Sequence, residues 1–557
     1  MSFLSNMLFG KPPMPKRILT DIIIPLHSRD DTPQNRNISV EFAMRFDDVL
    51  DTQKLADALW KLLEKPGWRK LGARLRINSE SRRLEYHIPV QYTKERPPIN
   101  FTRSSHDMRL EEHPIGSKFP RVKDRDQIQV FDTLFSLREL TQTEGSTVVL
   151  DDWLYSDKAQ LGLSVVNFRD ATLVTLTWLH TLLDAVGQGE LLRAWTAVLE
   201  GRDKDVPKFW GYNFDPLEKL GVSVEHDDTT SKDNIAEKQV SRTDVRKSWA
   251  RMTISSIKAG LRRFLNLKYV FAYLYPRIFK SKKPQSWRML YMPASYMARL
   301  RTSAMRDIAS LDPSQITYHN TPSAPPKPFL SDGDIFSAWL TRHLMACNRT
   351  LFDSSPTRPL LFRNVLDMRD VLSTATSGYD ALIPRGKAYV GNCTAYVTSQ
   401  FTLEQFLSLP LGHVAARLRR DLVEQATREA IEANQRASRS EQKTDTASRN
   451  AAMAPVIFAF TNWAKAKLFD TDFSAAVVGS GELESGDGVK RGKPMWIAAY
   501  WTDHWTDYWT DARVPENGVG MRGVGSCVGR DAGGGYWLAG VVKEGNGKRF
   551  EEGVLSV

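Results

Sequence analysis

Apolar and polar residues alternate along several short stretches of this chain, whereas other stretches repeat their apolar residues every three or four positions. Alternation over 40–46, 72–77 and 171–179 is typical of strands. The spacing over 52–63 and 191–199 is that of helices. Strand, helix and strand follow one another near the N-terminal end, so the order of elements predicts an α/β protein.

The second half of the chain shows the same mixture of elements. The predicted elements are a strand over 287–292, a helix over 296–308, an exposed proline-rich loop over 313–328, a helix from 332, strands over 362–369 and 387–398, and a polar loop over 437–450. Ser331 and Asp334 have the spacing of a capping box, which indicates that the helix begins directly after Ser331.

Two domains are expected, because 557 residues exceed what one hydrophobic core usually serves. Between the two halves, 226–247 is rich in charge and contains no Phe, Trp or Tyr, which is typical of a linker or a long surface crossover. We therefore place an N-terminal domain over 1–201, a linker or crossover over 202–284 and a C-terminal domain over 285–557.

The composition argues against several classes of protein. Three cysteines, Cys347, Cys393 and Cys527, show no paired spacing, so neither a disulfide framework nor a metal site is indicated. The net charge is +11, but basic and acidic residues are interspersed and we find no nucleic-acid-binding module. No stretch reaches the ~18 to 20 apolar residues of a transmembrane helix, and no signal peptide is recognisable. We expect a cytoplasmic monomer.

One stretch, 261–280, is apolar and aromatic with flanking cations. A segment of this kind can lie on a membrane surface as a peripheral contact. A buried connecting helix has the same pattern and is the more common structure.

The candidate chemistry centres on His180, which follows the predicted strand 171–179, and on Asp184 four residues later. An imidazole at the end of a strand is suited to take a proton from an alcohol or an amine. The same spacing fits a buried core histidine beside an aspartate that caps the next helix, so the motif alone leaves both interpretations open. A second copy of the spacing, His27 to Asp31, lies in a polar stretch, and we interpret it as accidental.

Eight short motifs occur in a particular order along the chain. They are Gly72–Leu75, the His180 and Asp184 pair, Ser331–Asp334 with Trp339, Asp367–Arg369, Gly391–Cys393, Thr461–Trp463, Asp470–Phe473 and Gly529–Leu538. This order resembles the CoA-dependent acyltransferases of the BAHD and chloramphenicol-acetyltransferase-like superfamily, in particular the fungal secondary-metabolite branch that includes trichothecene acetyltransferases. The resemblance implies two similar α/β domains, with an active-site channel between them and the histidine at its centre.

The resemblance also implies a role for each matched residue. His180 would be the general base that deprotonates the acceptor hydroxyl, and Asp184 would turn away from the substrate to pair with an arginine, for which Arg369 is the candidate. Thr461 and Trp463 would donate hydrogen bonds to the tetrahedral oxyanion.

The leading hypothesis is an O-acyltransferase that moves an acetyl or other small acyl group to a hydroxyl of a secondary metabolite. Transfer would be direct, through a ternary complex. Acyl-CoA, with acetyl-CoA expected, would be the co-substrate, a small-molecule alcohol would be the acceptor, and neither a cofactor nor a metal would be bound permanently.

Two segments depart from the family pattern. Asp472 and Phe473 are followed by Ser-Ala-Ala where the family signature has Gly-Trp-Gly, so we expect changed contacts with CoA. A Trp-Thr-Asp repeat over 501–511 precedes a glycine-rich run over 518–525. No predicted βαβ unit surrounds that run, so we interpret 500–527 as a glycine-rich insertion and not as a dinucleotide-binding loop.

Three alternatives stay open. The predicted helix 414–436 carries Arg417, Arg419 and Arg420, which suit the phosphates of CoA but also fit an ordinary solvated face. The same fold serves condensation chemistry on carrier-bound substrates, which a histidine in place of Leu179 would favour. A catalytically silent binding protein could retain the cleft.

Overall fold

Most of the chain is described by a computed structural model. The described residues are 13–132, 137–142, 147–222, 285–321, 324–348, 356–376, 378–441, 455–480, 491–501, 520–543 and 545–556. Apart from Gln285, they belong to one compact unit formed by Met1–Val222 and Ser286–Val557. The stretch 261–280 and the Trp-Thr-Asp repeat beyond Trp501 lie outside the described residues.

Strands and helices are mixed along the whole chain, as the residue pattern predicts. The strands are β1 (Ile22–Pro25), β2 (Ser39–Phe46), β3 (Asp48–Leu50), β4 (Arg74–Ile77), β5 (Leu84–Ile88), β6 (Ile99–Ser105), β7 (Gln129–Asp132), β8 (Leu161–Asn167), β9 (Thr172–Leu179), β10 (Lys208–Phe209), β11 (Gln285–Met292), β12 (Tyr318–Thr321), β13 (Ala324–Pro328), β14 (Pro359–Asp367), β15 (Lys387–Ala388), β16 (Thr394–Thr402), β17 (Val456–Asn462), β18 (Val477–Ser480), β19 (Trp496–Trp501), β20 (Gly520–Arg530) and β21 (Tyr536–Lys543). The helices are α1 (Pro33–Arg36), α2 (Thr52–Glu64), α3 (Arg138–Thr141), α4 (Leu150–Leu154), α5 (Ala185–Leu199), α6 (Ala294–Asp307), α7 (Asp332–Cys347), α8 (Arg369–Leu372), α9 (Leu403–Ser408), α10 (Leu411–Gln425), α11 (Arg428–Glu441) and α12 (Gly547–Leu555).

A five-stranded sheet, in the order β19-β2-β9-β8-β6, contains the strand that leads to His180. The central strand β9 pairs antiparallel with β2 over its full length, from Ser39 opposite Leu179 to Phe46 opposite Thr172. All of β2 and nearly all of β9 are buried, so both faces of the sheet are covered there. The C-terminal end of β9 is therefore held firmly.

A seven-stranded sheet, in the order β16-β14-β17-β20-β21-β11-β7, forms the second layer of strands. Its neighbours β14, β17 and β20 run parallel to one another. The C-terminal ends of parallel strands meet at one edge of a sheet, where α/β proteins place their ligands. Because Arg369 follows β14 and Trp463 follows β17, this edge gathers two of the predicted site residues.

Each large sheet includes one strand from the other half of the sequence. Strand β19, from the second half of the sequence, pairs with β2 in the five-stranded sheet. Strand β7, from the first half, pairs with β11 at the edge of the seven-stranded sheet. Neither sheet is complete without its exchanged strand, and the domain limits at 201 and 285 stay predictions.

The glycine-rich run is part of a central strand, so our interpretation of 500–527 as an insertion is wrong for 520–527. These residues belong to β20, between β17 and β21. Gly523 and Gly525 lie against the rings of Phe458 and Phe460, where a side chain would overlap the aromatic rings. The glycines admit large aromatic residues to the core beside the strand, and they do not form a flexible loop.

Three further predictions need correction. The proline-rich stretch 313–328 contains a hairpin, in which β12 and β13 pair with each other. Proline is tolerated there because both strands of an isolated two-stranded ribbon are edge strands. The helix predicted over 414–436 is two helices, α10 and α11, since the Thr427 hydroxyl caps a new helix by accepting from the Ala430 backbone N–H at 3.2 Å. In the predicted loop 437–450, residues as far as Glu441 belong to α11, and 442–450 lie outside the described residues.

The predicted linker begins with packed residues. Leu217 and Leu220 are buried in a small apolar cluster with Met368 and Tyr389. Strand β10 also pairs with β15 of the second half. Residues 202–222 are thus a packed crossover, and the rest of the predicted linker, 223–284, lies outside the described residues.

Within the part of the chain that the structure describes, no helix is long and apolar enough to cross a membrane. In the same residues, no cluster of three His, Cys, Asp or Glu side chains is arranged to hold a metal ion.

Candidate active site

His180 directly follows β9, where its backbone is fixed and its ring is only partly covered. Its backbone N–H donates to the carbonyl of Ile38 at 2.8 Å, which continues the pairing of β2 with β9. Its side chain is half-buried. The ring atom Nδ1 is buried and has no hydrogen-bond partner among the described residues.

Burial lowers the pKa of His180 below its ordinary value of 6.5, although the nearby carboxylate of Asp184 opposes the shift. A lowered pKa keeps the imidazole neutral, and a neutral imidazole is the form that can accept a proton.

The sign of this shift predicts the pH dependence of activity. Since the free imidazole is the active form, kcat/KM falls only when the pH drops through the lowered pKa, and its acidic limb lies below pH 6.5. A pH–rate profile under subsaturating substrate measures this directly. An acidic limb at or above pH 6.5 would contradict the assignment of His180 as the base.

Asp184 is a fully engaged structural carboxylate. It is the N-cap of α5, where Oδ1 accepts from the Gly187 backbone N–H at 2.8 Å. Its Oδ2 accepts from the backbone N–H of Cys393 at 2.9 Å, and Arg369 donates to both of its oxygens at 2.8 and 3.1 Å. The capping interpretation and the ion-pair interpretation of this residue therefore describe the same carboxylate.

Arg369 donates hydrogen bonds to several groups around Asp184. Its Nε donates to the Tyr389 carbonyl at 2.9 Å, and its terminal nitrogens reach the Gly391 carbonyl at 2.7 Å and the Asp367 carboxylate at 2.8 Å. Burial alone would lower the pKa of this guanidinium, but the carboxylates of Asp184 and Asp367 outweigh it and raise the pKa. The buried cation is matched by the buried carboxylate of Asp184 and the half-buried carboxylate of Asp367.

Asn392 is a site residue to which the sequence analysis assigned no role. Its side-chain amide donates to the backbone carbonyl of His180 at 2.9 Å. It lies in the segment 389–393, which we predicted as strand and which is irregular, because its backbone groups bond to Arg369 and Asp184 and not to a neighbouring strand. The Gly-Asn-Cys motif marks this segment, but its partners His180 and Asp184 are more than 200 positions away in the sequence.

Two glycines in the first two turns of α5 let the second half of the chain approach. A side chain at Gly187 would overlap the backbone carbonyl of Val390, and one at Gly189 would overlap that of Ala466. The helix that Asp184 caps thus lies between a segment that precedes β16 and a segment that follows β17, and both strands belong to the second sheet.

Thr461 and Trp463 lie beside the Arg369 segment, at the C-terminal edge of the second sheet. Thr461 is paired with Val365 of β14, two residues before Asp367, and adjacent strands lie about 4.8 Å apart. The indole N–H of Trp463 donates to the Thr461 hydroxyl at 2.9 Å. The resemblance implied that both groups donate to the oxyanion, whereas in the structure the Trp463 indole N–H donates to the Thr461 hydroxyl.

The altered family signature has an ordinary backbone. Phe473 is buried between Phe46 and Trp195, with ring centroids at 5.4 and 4.7 Å. Ser474–Ala476 form a 3-10 turn, and the close approach to this turn is made by Gly492, whose φ is +75° and where a side chain would overlap Ser474. The tight geometry comes from a glycine elsewhere in the chain.

The three arginines of α10 are all paired with acidic residues. Arg417 pairs with Asp421 at 3.0 Å and Arg420 with Glu424 at 3.8 Å. Arg419 pairs at 2.6 Å with Asp334, the carboxylate of the confirmed capping box of α7. These contacts favour the structural interpretation of this helix over a phosphate site.

A cavity of about 620 Å³ lies along the second half of α5. Lys467, Asp472 and Lys493 line it together with Arg193 and Glu190, and these last two pair at 2.5 Å. His180 is not among its lining residues.

Comparison with known proteins places the chain in a family. No protein-family model matches it. Acetyltransferase adrJ of Penicillium rubens is 31% identical over 546 residues, covering 98% of this chain and 97% of that protein. A protein named transcriptional regulator calD, from Penicillium decumbens, is 32% identical and covers 97% of both chains.

A solved structure shows the same fold. The crystal structure of F. graminearum TRI101 complexed with ethyl coenzyme A aligns with a TM-score of 0.56 and 13% identity, covering 95% of this chain and 96% of that one. The two-domain α/β fold implied by the sequence is therefore confirmed. The chain belongs to the family of the fungal acetyltransferase adrJ, and it has the fold of TRI101.

Proposed function

We propose that this protein transfers an acetyl or other small acyl group from acyl-CoA to a hydroxyl of a secondary metabolite, with His180 as the general base. The observation that carries this proposal is the half-buried imidazole of His180, whose pKa is lowered by burial. The ion pair between Asp184 and Arg369 joins the segment after His180 to the second half of the chain. Support also comes from the relative named an acetyltransferase and from the CoA derivative bound to TRI101.

The proposed reaction is a direct transfer within a ternary complex. We assign the base to Nε2, because Nδ1 is buried. Nε2 takes the proton of the acceptor hydroxyl while the oxygen attacks the thioester carbonyl. The tetrahedral intermediate then expels the thiolate, which receives the proton from the imidazolium, so that an ester and free CoA are the products.

The Thr461 hydroxyl is our candidate donor to the oxyanion. Because its oxygen accepts the Trp463 indole N–H, its own proton is left to donate elsewhere, and acceptance from the indole strengthens that donation. Trp463 then acts through Thr461 and is a positioning residue.

Acyl-CoA is a substrate in this scheme, and no permanent cofactor or metal takes part. We propose acetyl-CoA as the donor and the cytoplasm as the location, where the protein would act as a monomer. The three cysteines are all buried and unpaired, which fits a reducing compartment.

One rival function is supported by a specific observation. The relative named a transcriptional regulator is as similar to this chain as the acetyltransferase is, which favours the alternative of a catalytically silent binding protein. Condensation chemistry is less supported, since Leu179 stands where a second histidine would favour it.

Titration calorimetry with acetyl-CoA, followed by thioester consumption with a panel of fungal alcohols, separates these functions. We expect saturable binding of acetyl-CoA and release of free CoA that depends on the alcohol. Binding without thioester consumption across the panel would favour the silent protein, and absence of binding would contradict the acyl-CoA proposal.

A further inference from the structure

The second copy of the His-x-x-x-Asp spacing lies in a buried turn directly behind the candidate site. We interpreted this copy as an accident in a polar loop, yet His27 and Asp30 are 4% and 2% exposed. His27 does not use Asp31 as its partner. Its ring stacks on Tyr389, and its Nδ1 lies 3.3 Å from the tyrosine hydroxyl. Tyr389 belongs to the irregular segment 389–393 that Arg369 and Asp184 hold.

A buried lysine supplies the countercharge of this turn. Lys70 lies 2.9 Å from Nε2 of His27 and donates to the Gly211 carbonyl at 3.1 Å. Burial raises the pKa of Asp30 to about 6, and the Lys70 charge opposes that shift. Burial likewise lowers the pKa of Lys70 to about 8, and Asp30 opposes that shift. The charge of Lys70 therefore offsets part of the cost of burying Asp30 as a carboxylate.

Asp30 connects this cluster to the backbone of His180 through the side chain of Asn392. Its Oδ1 accepts from the backbone N–H of Asn392 at 2.7 Å and from the side-chain amide of Asn392 at 2.8 Å. The same amide nitrogen donates its other hydrogen to the carbonyl of His180 at 2.9 Å. Both side-chain N–H groups of Asn392 are thus used, one on Asp30 and one on His180.

These contacts complete the anchoring of His180. Its N–H is fixed by Ile38 and its carbonyl by Asn392, while its Nδ1 has no partner among the described residues. The bonds to the N–H and the carbonyl therefore fix the backbone from which the ring projects. A displacement of the reacting group by ~1 Å can reduce an enzymatic rate about 10²-fold.

We propose that Asp30 is a positioning residue for His180 that acts through Asn392. This inference rests on the proposed function, because it assigns His180 as the base. Asp30 and Asp184 play parallel parts, since they accept from the successive backbone N–H groups of Asn392 and Cys393.

Asp31 provides a matched control in the same turn. Its side chain is 2% exposed, as is that of Asp30, but it accepts from the Arg36 guanidinium at 2.6 Å and from the Leu84 backbone N–H at 3.0 Å. Asp30→Ala and Asp31→Ala each remove a buried carboxylate, but only the first removes the acceptor for Asn392.

The first readout is the NMR spectrum of protein labelled with ¹⁵N in its histidine rings, with the His180 signals assigned by loss in His180→Gln. We expect one set of His180 ring signals in the wild type and in Asp31→Ala, and broadened or doubled signals in Asp30→Ala. Unchanged His180 signals in a folded Asp30→Ala protein would overturn the proposal. This readout needs no turnover, so an inactive wild type would contradict the proposed function and leave this test intact.

The second readout is kinetic, with acetyl-CoA as the donor and an alcohol that the panel identifies as the acceptor. Asp30→Ala should lower kcat ~10- to 100-fold with little change in KM for acetyl-CoA, and Asp30→Asn, which keeps one acceptor oxygen, should lose less. Equal losses of kcat in Asp30→Ala and Asp31→Ala would overturn the proposal.

Asn392→Ala keeps the question decidable if Asp30→Ala does not fold. It removes the bridge and leaves both carboxylates in place, so it should reproduce the broadened His180 signals and the loss of kcat. Where both single variants fold, their effects should not add in the double variant, because they interrupt one connection. Wild-type signals and kcat in folded Asn392→Ala, or fully additive effects, would contradict the connection.

Discussion

Replacement of His180 with alanine should lower turnover by ~10² to 10⁴-fold while the protein stays folded, since this is the usual contribution of a positioned general base. The fold should tolerate the change, because the ring is half-buried and its Nδ1 makes no hydrogen bond within the described residues. The backbone bond to Ile38 does not involve the side chain. Initial rates of CoA release, with far-UV circular dichroism as the folding check, measure both parts of the prediction.

His319→Ala is the matched control for this experiment. His319 lies exposed in the hairpin of β12 and β13, and its removal should leave the rate unchanged. Turnover in His180→Ala within a factor of about two of the wild type would exclude His180 as the base. An equal loss in His319→Ala would show that the assay reports general damage to the protein.

Asp184→Asn should lose both stability and activity. The pair of Asp184 with Arg369 is buried on both sides, with side chains 4% and 10% exposed, and breaking such a pair costs roughly 3 to 5 kcal/mol. The lower end of that range is expected, because Arg369 retains Asp367 as a partner and the asparagine oxygen can still cap α5. The free energy of unfolding in urea measures the loss.

A control for this prediction is Asp107→Asn. Asp107 also pairs with an arginine, Arg169 at 2.8 Å, but the two side chains are 90% and 59% exposed, and an exposed pair contributes little to stability. Equal unfolding free energies for Asp184→Asn and the wild type would remove the ion pair as a structural element of the site. Similar losses in the two variants would contradict the argument from burial.

The local sequence pattern alone could identify only those features that depend on residues a few positions apart. Alternation predicted the strand that ends before His180, and the Ser331 and Asp334 spacing predicted the start of α7, because each depends on neighbours within a few positions. The fold and the candidates Thr461 and Trp463 came from the ordered family motifs, since no local rule connects residues in different strands.

The parts that sequence reasoning missed depend on contacts between distant segments. Asn392 donates hydrogen bonds to His180 and Asp30, which are far from it in the sequence. No residue pattern near Asp30 indicates that contact. The glycines of β20 suggested a loop because their composition is that of loops. Their reason is the aromatic residues of a neighbouring strand, which sequence alone does not place beside them.

The central claim is that acyl-CoA presents its thioester to the His180 imidazole. The position of the CoA sulfur in a crystal structure of the complex tests this claim most directly. Our account predicts the sulfur beside the His180 ring, with room for an acceptor oxygen within hydrogen-bond reach of Nε2, about 2.6 to 3.2 Å or one water away. A sulfur held in the cavity along α5, remote from His180, would contradict it.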